Sequence, residues 1–286
     1  MYTAYENDLI GFAQQIIRTP STVGDESAVA KIIAAKMTEF GYDQVSIDDK
    51  NSVIGRLVGS GEGKNLILNG HIDTVDPGEM ENPYNAEIIN GKDFGYESDV
   101  ISGRGSCDMK GAIAAIVYTG GFIKRQGLKL KGDVWVICNS LEENTGGEGI
   151  LHILENNNLH ADMAIVAEPS NFNIHIGQTG RIDFKIITKG KTCHSAFPEK
   201  GKNAIYAMSH FLQVFQKHYQ IDPHPDLGNL TYTVLEISSP SSIGLVPDQC
   251  QIILTRRTNP EETQKSIENG IKEIFESVRK EDPSFE

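Results

Sequence analysis

Apolar residues recur at helical spacing near the start of the chain. Thr3 and Glu6 have the spacing of a capping box, and Thr19-Pro20 provides a stop. The apolar positions between these signals are Leu9, Ile10, Phe12, Ala13, Ile16 and Ile17. They predict an amphipathic helix. A second helix is predicted from about Glu26, with Gly41 at the position of its C-cap.

Strand-like and helix-like segments then alternate. The predicted strands lie near 43–48, 52–58, 65–69, 134–138 and 163–167. The predicted helices lie at 109–126 and about 147–157, and a long polar loop occupies 76–98. This alternation predicts an α/β fold, with a mostly parallel sheet and helices on both faces.

The pattern changes near residues 177–180. Ile182, Phe184 and Ile186 alternate with polar residues, which is typical of a strand with one face in water. The predicted elements that follow are a helix at 203–219, strands at 230–237 and 250–256, and a helix at 261–280. The order β-α-β-β-α indicates a small α+β domain with an antiparallel sheet.

The composition limits the classes of function. The chain has 286 residues, 39% of them hydrophobic, and a formal net charge of -13. This acidic balance argues against nucleic acid or an anionic membrane as the main partner. No signal peptide or membrane span is evident, and the four cysteines never form C-x-x-C. A cytoplasmic protein with free thiols is therefore expected.

Metal-capable side chains occupy four predicted strand ends or loops. They are His71 with Asp73, Asp108, the pair Glu142-Glu143, and Glu168. Each has an ordinary interpretation by itself, such as a helix N-cap for Asp108 or a solvated turn for the glutamate pair. Because ligands collect beyond the carboxyl ends of strands in open α/β sheets, the set together favours a metal site. Two divalent ions, zinc or alternatively cobalt or manganese, could there activate a bridging water.

Five sequence strings resemble the motifs of one enzyme family. In order they are GHIDTV, SGRGSCDMKGA, SLEENTGGEG, AEPS and KGKTCHSAFPEKGKNAI. Over essentially the whole chain they resemble the M20 metallopeptidases, the family of acetylornithine deacetylase, succinyl-diaminopimelate desuccinylase and glutamate carboxypeptidases. The resemblance implies a di-zinc exopeptidase-like catalytic domain at 1–178. It also implies an inserted α+β, ferredoxin-like lid and dimerisation domain at 179–286.

The same resemblance implies a ligand set for two metal ions. His71 and Glu168 would bind one ion, Glu143 would bind the other, and Asp108 would bridge both. Asp73 would orient the imidazole of His71 from outside the ligand shell.

The resemblance also implies a general base. Glu142 would take a proton from the metal-bridging water and pass it to the leaving amine.

Two further residues belong to the second domain. His194 matches the family's lid histidine, which helps to stabilise the tetrahedral oxyanion, often from the partner subunit of a homodimer. Arg257 is near the family's lid arginine, which can hold a substrate carboxylate, although an exposed strand-end salt bridge explains it equally well. Two positions depart from the family pattern: Gly244 replaces the usual Asn, and Thr255 replaces a frequent Asp.

The predicted function is hydrolysis of an amide bond in a small N-acyl amino acid or peptide. The chain stops at Glu286, whereas the family continues for roughly another domain's ~100 residues, with a final metal-binding histidine. We therefore expect either a fragment of a longer enzyme or a natural truncation. The alternative function is a catalytically impaired binding or dimerisation protein. An oxidoreductase is disfavoured because no G-x-G-x-x-G joins a strand to a helix.

Overall fold

The computed structural model describes residues 3–144, 147–157, 159–240, 242–283 and 285. The chain divides into two compact units, Met1–Asn173 and Ile174–Glu286. The domain boundary expected at 178/179 lies five residues beyond this division, inside the second unit.

The described residues of the first unit form four α-helices and seven strands. The helices are α1 (Ala4–Arg18), α2 (Ser27–Glu39), α3 (Gly111–Arg125) and α4 (Glu148–Asn156). The strands are β1 (Gln44–Ile47), β2 (Val53–Leu57), β3 (Leu66–His71), β4 (Glu87–Ile89), β5 (Val100–Ser102), β6 (Val134–Asn139) and β7 (Met163–Val166). The capping box predicted at the start of α1 is present, with Thr3 and Glu6 bonded reciprocally.

Five of these strands form one sheet, in the order β1-β2-β6-β3-β7. The pairs β3–β6 and β3–β7 are parallel, whereas β1–β2 and β2–β6 are antiparallel. The α/β class is confirmed, but the sheet is more mixed than predicted. The short turn between Ile47 and Val53 accounts for the antiparallel β1–β2 pair, because so short a connection can join only antiparallel neighbours.

Helices cover both faces of this sheet, as predicted. Apolar residues of α1, α2 and α3 pack with one set of strand side chains, which includes Val53, Leu68 and Val136. Ile153 of α4 packs with the alternate set on the opposite face, which includes Ile137. Because successive strand residues face opposite ways, each buried strand contributes to both cores.

The region predicted as a long polar loop contains some regular structure. Strands β4 and β5 pair as a small antiparallel hairpin at 87–102, and a 3₁₀ turn at Gly91–Phe94 separates them. The polar, glycine-containing sequence hides these short strands because they bury little apolar surface.

The second unit has the predicted β-α-β-β-α order. Its elements are β8 (Gly180–Lys189), α5 (Ala204–His218), β9 (Tyr232–Ser238), β10 (Gln249–Thr258) and α6 (Gln264–Glu281). The three strands form an antiparallel sheet in the order β8-β10-β9. Residues of α5 and α6 share one core with this sheet, centred on Phe211 and Phe215.

Among the described helices, none combines the length and the apolar character needed to cross a membrane.

Replacing Phe211 by Ala should destabilise the second unit by ~3–5 kcal/mol, because a fully buried ring would leave a cavity. Phe211 is 0% exposed and packs near Phe215, Phe275 and Phe285. The matched control is Tyr206→Ala in the same helix, where the side chain is 75% exposed and the expected change is within about 0.5 kcal/mol. Urea unfolding followed by circular dichroism measures both variants, and equal midpoints would contradict the packing described here.

Candidate metal centre

His71 is the last residue of β3, and its side chain is 2% exposed. Its Nδ1 atom lies 2.9 Å from the backbone oxygen of Asp73. Because a carbonyl oxygen can only accept a hydrogen bond, Nδ1 carries a proton and donates it to Asp73. The other ring nitrogen, Nε2, then points towards the carboxylates beyond the strand end. Gly70 allows this close packing, since a Cβ there would collide with Met109 and Ile113.

Asp108 is not the N-cap of the following helix. Helix α3 begins at Gly111, and one π-helical turn at Ser106–Lys110 precedes it, within which Asp108 has non-helical φ and ψ. The Oδ1 atom of Asp108 instead lies 3.0 Å from Nε2 of His71. Gly105, with φ of 80°, turns the chain immediately before this segment. The N-cap interpretation of Asp108 is therefore wrong, and its role as a metal ligand stays a prediction.

Glu168 completes a group of three possible metal ligands. It follows β7, and its Oε1 atom lies 3.8 Å from Nε2 of His71. One ligand atom from each of His71, Asp108 and Glu168 lies within 4.8 Å of the other two. Two parallel strands and the loop before α3 therefore bring one imidazole and two carboxylates together.

The charges of this group are strongly coupled. Burial opposes protonation of His71, but the nearby carboxylates of Asp108 and Asp73 outweigh it and raise the imidazole pKa to about 11. Burial raises the pKa of Glu168 to about 7, with the negative charge of Asp108 adding to the effect and the positive charge of His71 opposing it. The hydrogen bond from His71 holds the pKa of Asp108 below its usual range.

Asp73 links His71 to the loop that carries Glu142 and Glu143. Its side chain is fully buried, and its Oδ2 atom accepts a hydrogen bond of 2.9 Å from the backbone N–H of Glu143. Its Oδ1 atom is 3.7 Å from Nδ1 of His71 and has no hydrogen-bond partner among the described residues. Burial acts to raise the pKa of Asp73, but His71 and the backbone N–H of Glu143 hold it below the usual range.

The two adjacent glutamates differ in environment. Glu143 is half-buried, and burial together with the charge of Asp108 raises its pKa. Glu142 is exposed. Among the described residues, Glu143 is not part of the close group formed by His71, Asp108 and Glu168. The backbone N–H of Glu143 is nevertheless bonded to Asp73, next to that group. Thr145 and Gly146 of the same motif lie outside the described residues.

The residues of this site fit a divalent metal. The buried imidazole of His71 faces two carboxylates, and Oδ1 of Asp73 has no donor among the described residues. A cation would neutralise this concentration of negative charge. One nitrogen and several oxygens are the ligands that zinc takes in hydrolytic sites. The contact from the other ring nitrogen to a backbone oxygen fixes the imidazole, as metal-bound histidines generally require.

Lys110 is a buried residue of this region that sequence-based prediction misses. Its side chain is fully buried, and Nζ donates to the backbone oxygen of Thr19 over 2.7 Å. Burial lowers its pKa to about 8. The bond ties the segment after Asp108 to the end of α1. Only its place beside Asp108 in the string CDMKG could have drawn attention to it.

His194 lies in the second unit, where its backbone bridges to Leu245. Its side chain is exposed, and Nδ1 accepts a hydrogen bond of 3.1 Å from the backbone N–H of Ala196. A neutral imidazole held in this way carries its proton on Nε2, so the ring presents a donor to solvent.

Arg257 is an exposed residue of β10, paired in register with Arg181 of β8. The preceding arginine, Arg256, is 4% exposed and forms an ion pair with Glu262. Arg256 therefore ties the turn before α6 to β10, whereas the side chain of Arg257 is exposed to water.

Comparisons with known proteins place the chain in a family. Residues 176–283 match the family model described as the M20 peptidase dimerisation domain. The chain is 32% identical over 279 residues to the YgeY protein of Escherichia coli K12, covering 94% of this chain and 66% of that protein. It is 30% identical to succinyl-diaminopimelate desuccinylase of Blochmanniella floridana, covering 94% of this chain and 73% of that enzyme.

The chain belongs to the M20 peptidase family.

Solved structures share the fold of this M20 chain. A tripeptidase from Staphylococcus aureus Mu50 superposes with a TM-score of 0.73 at 21% identity, covering 96% of this chain and 72% of the tripeptidase. The YxeP protein of Bacillus subtilis, described as a dinuclear metal-binding peptidase of the M20 family, superposes with a TM-score of 0.68 at 19% identity. The chain spans 66% of the length of YgeY and 70% of the length of YxeP.

Metal binding at neutral pH should release protons, because ligand atoms must be unprotonated. At pH 7 the imidazole of His71 is protonated, since its pKa is about 11, and Glu168 is about half protonated, since its pKa is about 7. Zinc binding should therefore release on the order of one to two protons, and the affinity should rise with pH. Calorimetric titrations in two buffers of different ionisation enthalpy measure the release.

The control for this titration is His160→Ala, which changes an exposed histidine outside the group and should leave the release unchanged. Binding heats that do not depend on the buffer would contradict the protonation states given above.

Proposed function

We propose that the chain acts as a metal-dependent hydrolase that cleaves an amide bond in a small N-acyl amino acid or peptide. The observation that carries the proposal is the buried imidazole of His71 facing Asp108 and Glu168 at the strand ends. Membership of the M20 family supports it, as does the printed function of a relative, succinyl-diaminopimelate desuccinylase.

Two divalent ions, with zinc as the first choice, would be held by His71, Asp108, Glu143 and Glu168. His71 and Glu168 would serve one ion, Glu143 would serve the other, and Asp108 would contribute to both. When bound, the ions lower the pKa of water and polarise the substrate carbonyl. The contribution of Asp73 is to fix His71 through its backbone oxygen and the Glu143 loop through its carboxylate.

Glu142 is the proposed general base. Its exposed carboxylate takes a proton from the attacking water and passes it to the nitrogen of the leaving amine as the C–N bond breaks. The products are a carboxylate and an amine, and Glu142 returns to its ionised form. Because Glu142 directly precedes Glu143, its carboxylate lies near the proposed metal ligands but is not itself a ligand.

The second unit is proposed to bind the substrate. Nε2 of His194 donates a hydrogen bond to the oxyanion that forms on the substrate carbonyl. Arg257, exposed on β10, holds the substrate carboxylate with two parallel hydrogen bonds.

Replacing Glu142 by Ala should reduce kcat by about 10²–10⁴-fold, because proton transfer loses its base, while zinc remains bound.

In the same assays His194→Ala should lower kcat by ~10²–10³-fold, because the oxyanion loses a hydrogen-bond donor. Arg257→Lys should chiefly raise KM, since a lysine cannot bind a carboxylate bidentately. The assays use a panel of N-succinyl and N-acetyl amino acids and of di- and tripeptides.

The control is Glu148→Ala, at the start of α4, which should keep full activity. Appreciable turnover by Glu142→Ala would remove Glu142 from the proposed role. Tight binding of an N-acyl amino acid without any product from the unmodified chain would instead identify a binding protein with the same fold.

We also propose that the second unit forms a homodimer. The match to a dimerisation-domain model supports this proposal, as does the exposed apolar surface of β9, at Val234, Leu235 and Ile237. Leu235→Glu should weaken the dimer by placing a charge in an apolar contact, whereas Lys189→Glu at the end of β8 should not. Analytical ultracentrifugation measures the masses, and a strictly monomeric unmodified chain would contradict the proposal.

A further inference from the structure

A second group of metal-capable side chains lies in the first unit. Asp48 and Asp49 occupy the turn between β1 and β2, and His152 is on α4. One ligand atom from each of the three lies within 4.8 Å of the others. This group shares no residue with the site of His71, Asp108 and Glu168, and the proposed hydrolysis does not use it.

Backbone hydrogen bonds hold the turn that carries the two aspartates. Oδ1 of Asp48 accepts from the backbone N–H groups of Lys50 and Ser52, at 2.9 and 2.8 Å. The hydroxyl of Ser140, just beyond β6, donates to the backbone oxygen of Lys50 over 2.6 Å. The carboxylates are therefore presented by a fixed turn and not by a freely moving loop.

One oxygen of this group lacks a partner. Oδ2 of Asp48 is buried, and it accepts no hydrogen bond from the described residues. A buried carboxylate oxygen without a donor is costly, and a cation or a donor normally compensates it. Both nearby amides already donate to the other oxygen of the same carboxylate, so the turn itself cannot supply the missing partner.

His152 supplies the imidazole. Its Nε2 atom lies 2.6 Å from Oδ1 of Asp49, and the carboxamide of Asn156, one turn further along α4, lies 3.2 Å from Nδ1. Ile153, the next residue, is fully buried against the sheet and fixes this turn of the helix. The ring is therefore held with Nε2 towards the aspartates.

We propose that Asp48, Asp49 and His152 bind a zinc ion that is additional to those of the proposed catalytic site. An ion pair between His152 and Asp49 alone would explain their contact, but it would leave Oδ2 of Asp48 without a partner. One imidazole and two carboxylates make a ligand set that zinc accepts, with water at the fourth position. The ion would fasten the β1–β2 turn to α4, the helix that follows the Glu142–Glu143 loop.

The test is the zinc content per chain of the 286-residue protein, dialysed against zinc and then against zinc-free buffer, by elemental mass analysis. His152→Ala should hold one ion fewer than the unmodified chain, and so should Asp49→Asn, a milder change at an exposed side chain. The same loss of one ion should appear when His152→Ala is added to His71→Ala. This second comparison separates the new site from the proposed catalytic one.

His160→Ala is the matched control, because it removes an exposed histidine of the same unit and should leave the zinc content unchanged. The zinc-induced rise in Tm should also be smaller in His152→Ala than in His160→Ala. An unchanged zinc content in both His152→Ala and Asp49→Asn overturns the proposal. A loss in only one of these two variants overturns the three-ligand site.

Discussion

The structure of the first unit depends on the confinement of several carboxyl groups around one buried imidazole. Asp73 and His71 are almost completely removed from water, and Asp108 and Glu168 approach the same ring nitrogen. Carboxylates so close together repel one another at the low effective dielectric of a protein. A positive charge, a rigid framework and the partial protonation of Glu168 at neutral pH hold them there. The imidazolium supplies the charge in the protein alone, and a metal ion would supply more of it.

The framework explains several features that otherwise look unrelated. Gly70 lets Met109 pack directly beneath His71, and the buried Lys110 ties the segment after Asp108 to the end of α1. The carboxylate of Asp73 reaches across to the backbone of Glu143. Each contact removes freedom from a loop that follows a strand or precedes a helix. The sheet sets the position of the site, and these few bonds set its geometry.

Much of this arrangement follows from the sequence, for physical reasons. Amphipathic periodicity and the Thr3 capping box give α1 correctly, and the β-α-β-β-α order of the second unit follows from alternation and helical spacing. Strand direction does not follow, because a buried run such as Val53–Leu57 reads alike in parallel and antiparallel sheets. Nor does the contact of Asp49 with His152, since no local pattern connects residues so far apart in sequence.

The two departures from the family pattern also have spatial explanations. Gly244 has a φ of 89°, in the left-handed region that glycine adopts freely and asparagine more readily than most residues, and its carbonyl accepts from Ser195 beside His194. Thr255 lies directly opposite Asp183 on β8. Arg181 and then Thr255 hold the pKa of Asp183 below its usual range. A carboxylate is thus present next to this position, but it comes from the neighbouring strand.

Strand β7 has a consequence for how the polypeptide behaves in concentrated solution. It is an edge strand of the described five-stranded sheet, and the side chains of Met163, Ile165 and Val166 are each more than half exposed. An apolar edge strand can pair with another chain through its backbone groups. Two acidic residues, Asp162 and Glu168, flank the strand, and negative charge beside an apolar edge strand opposes such pairing. Asp162→Asn would remove one of these charges and should make self-association through β7 easier.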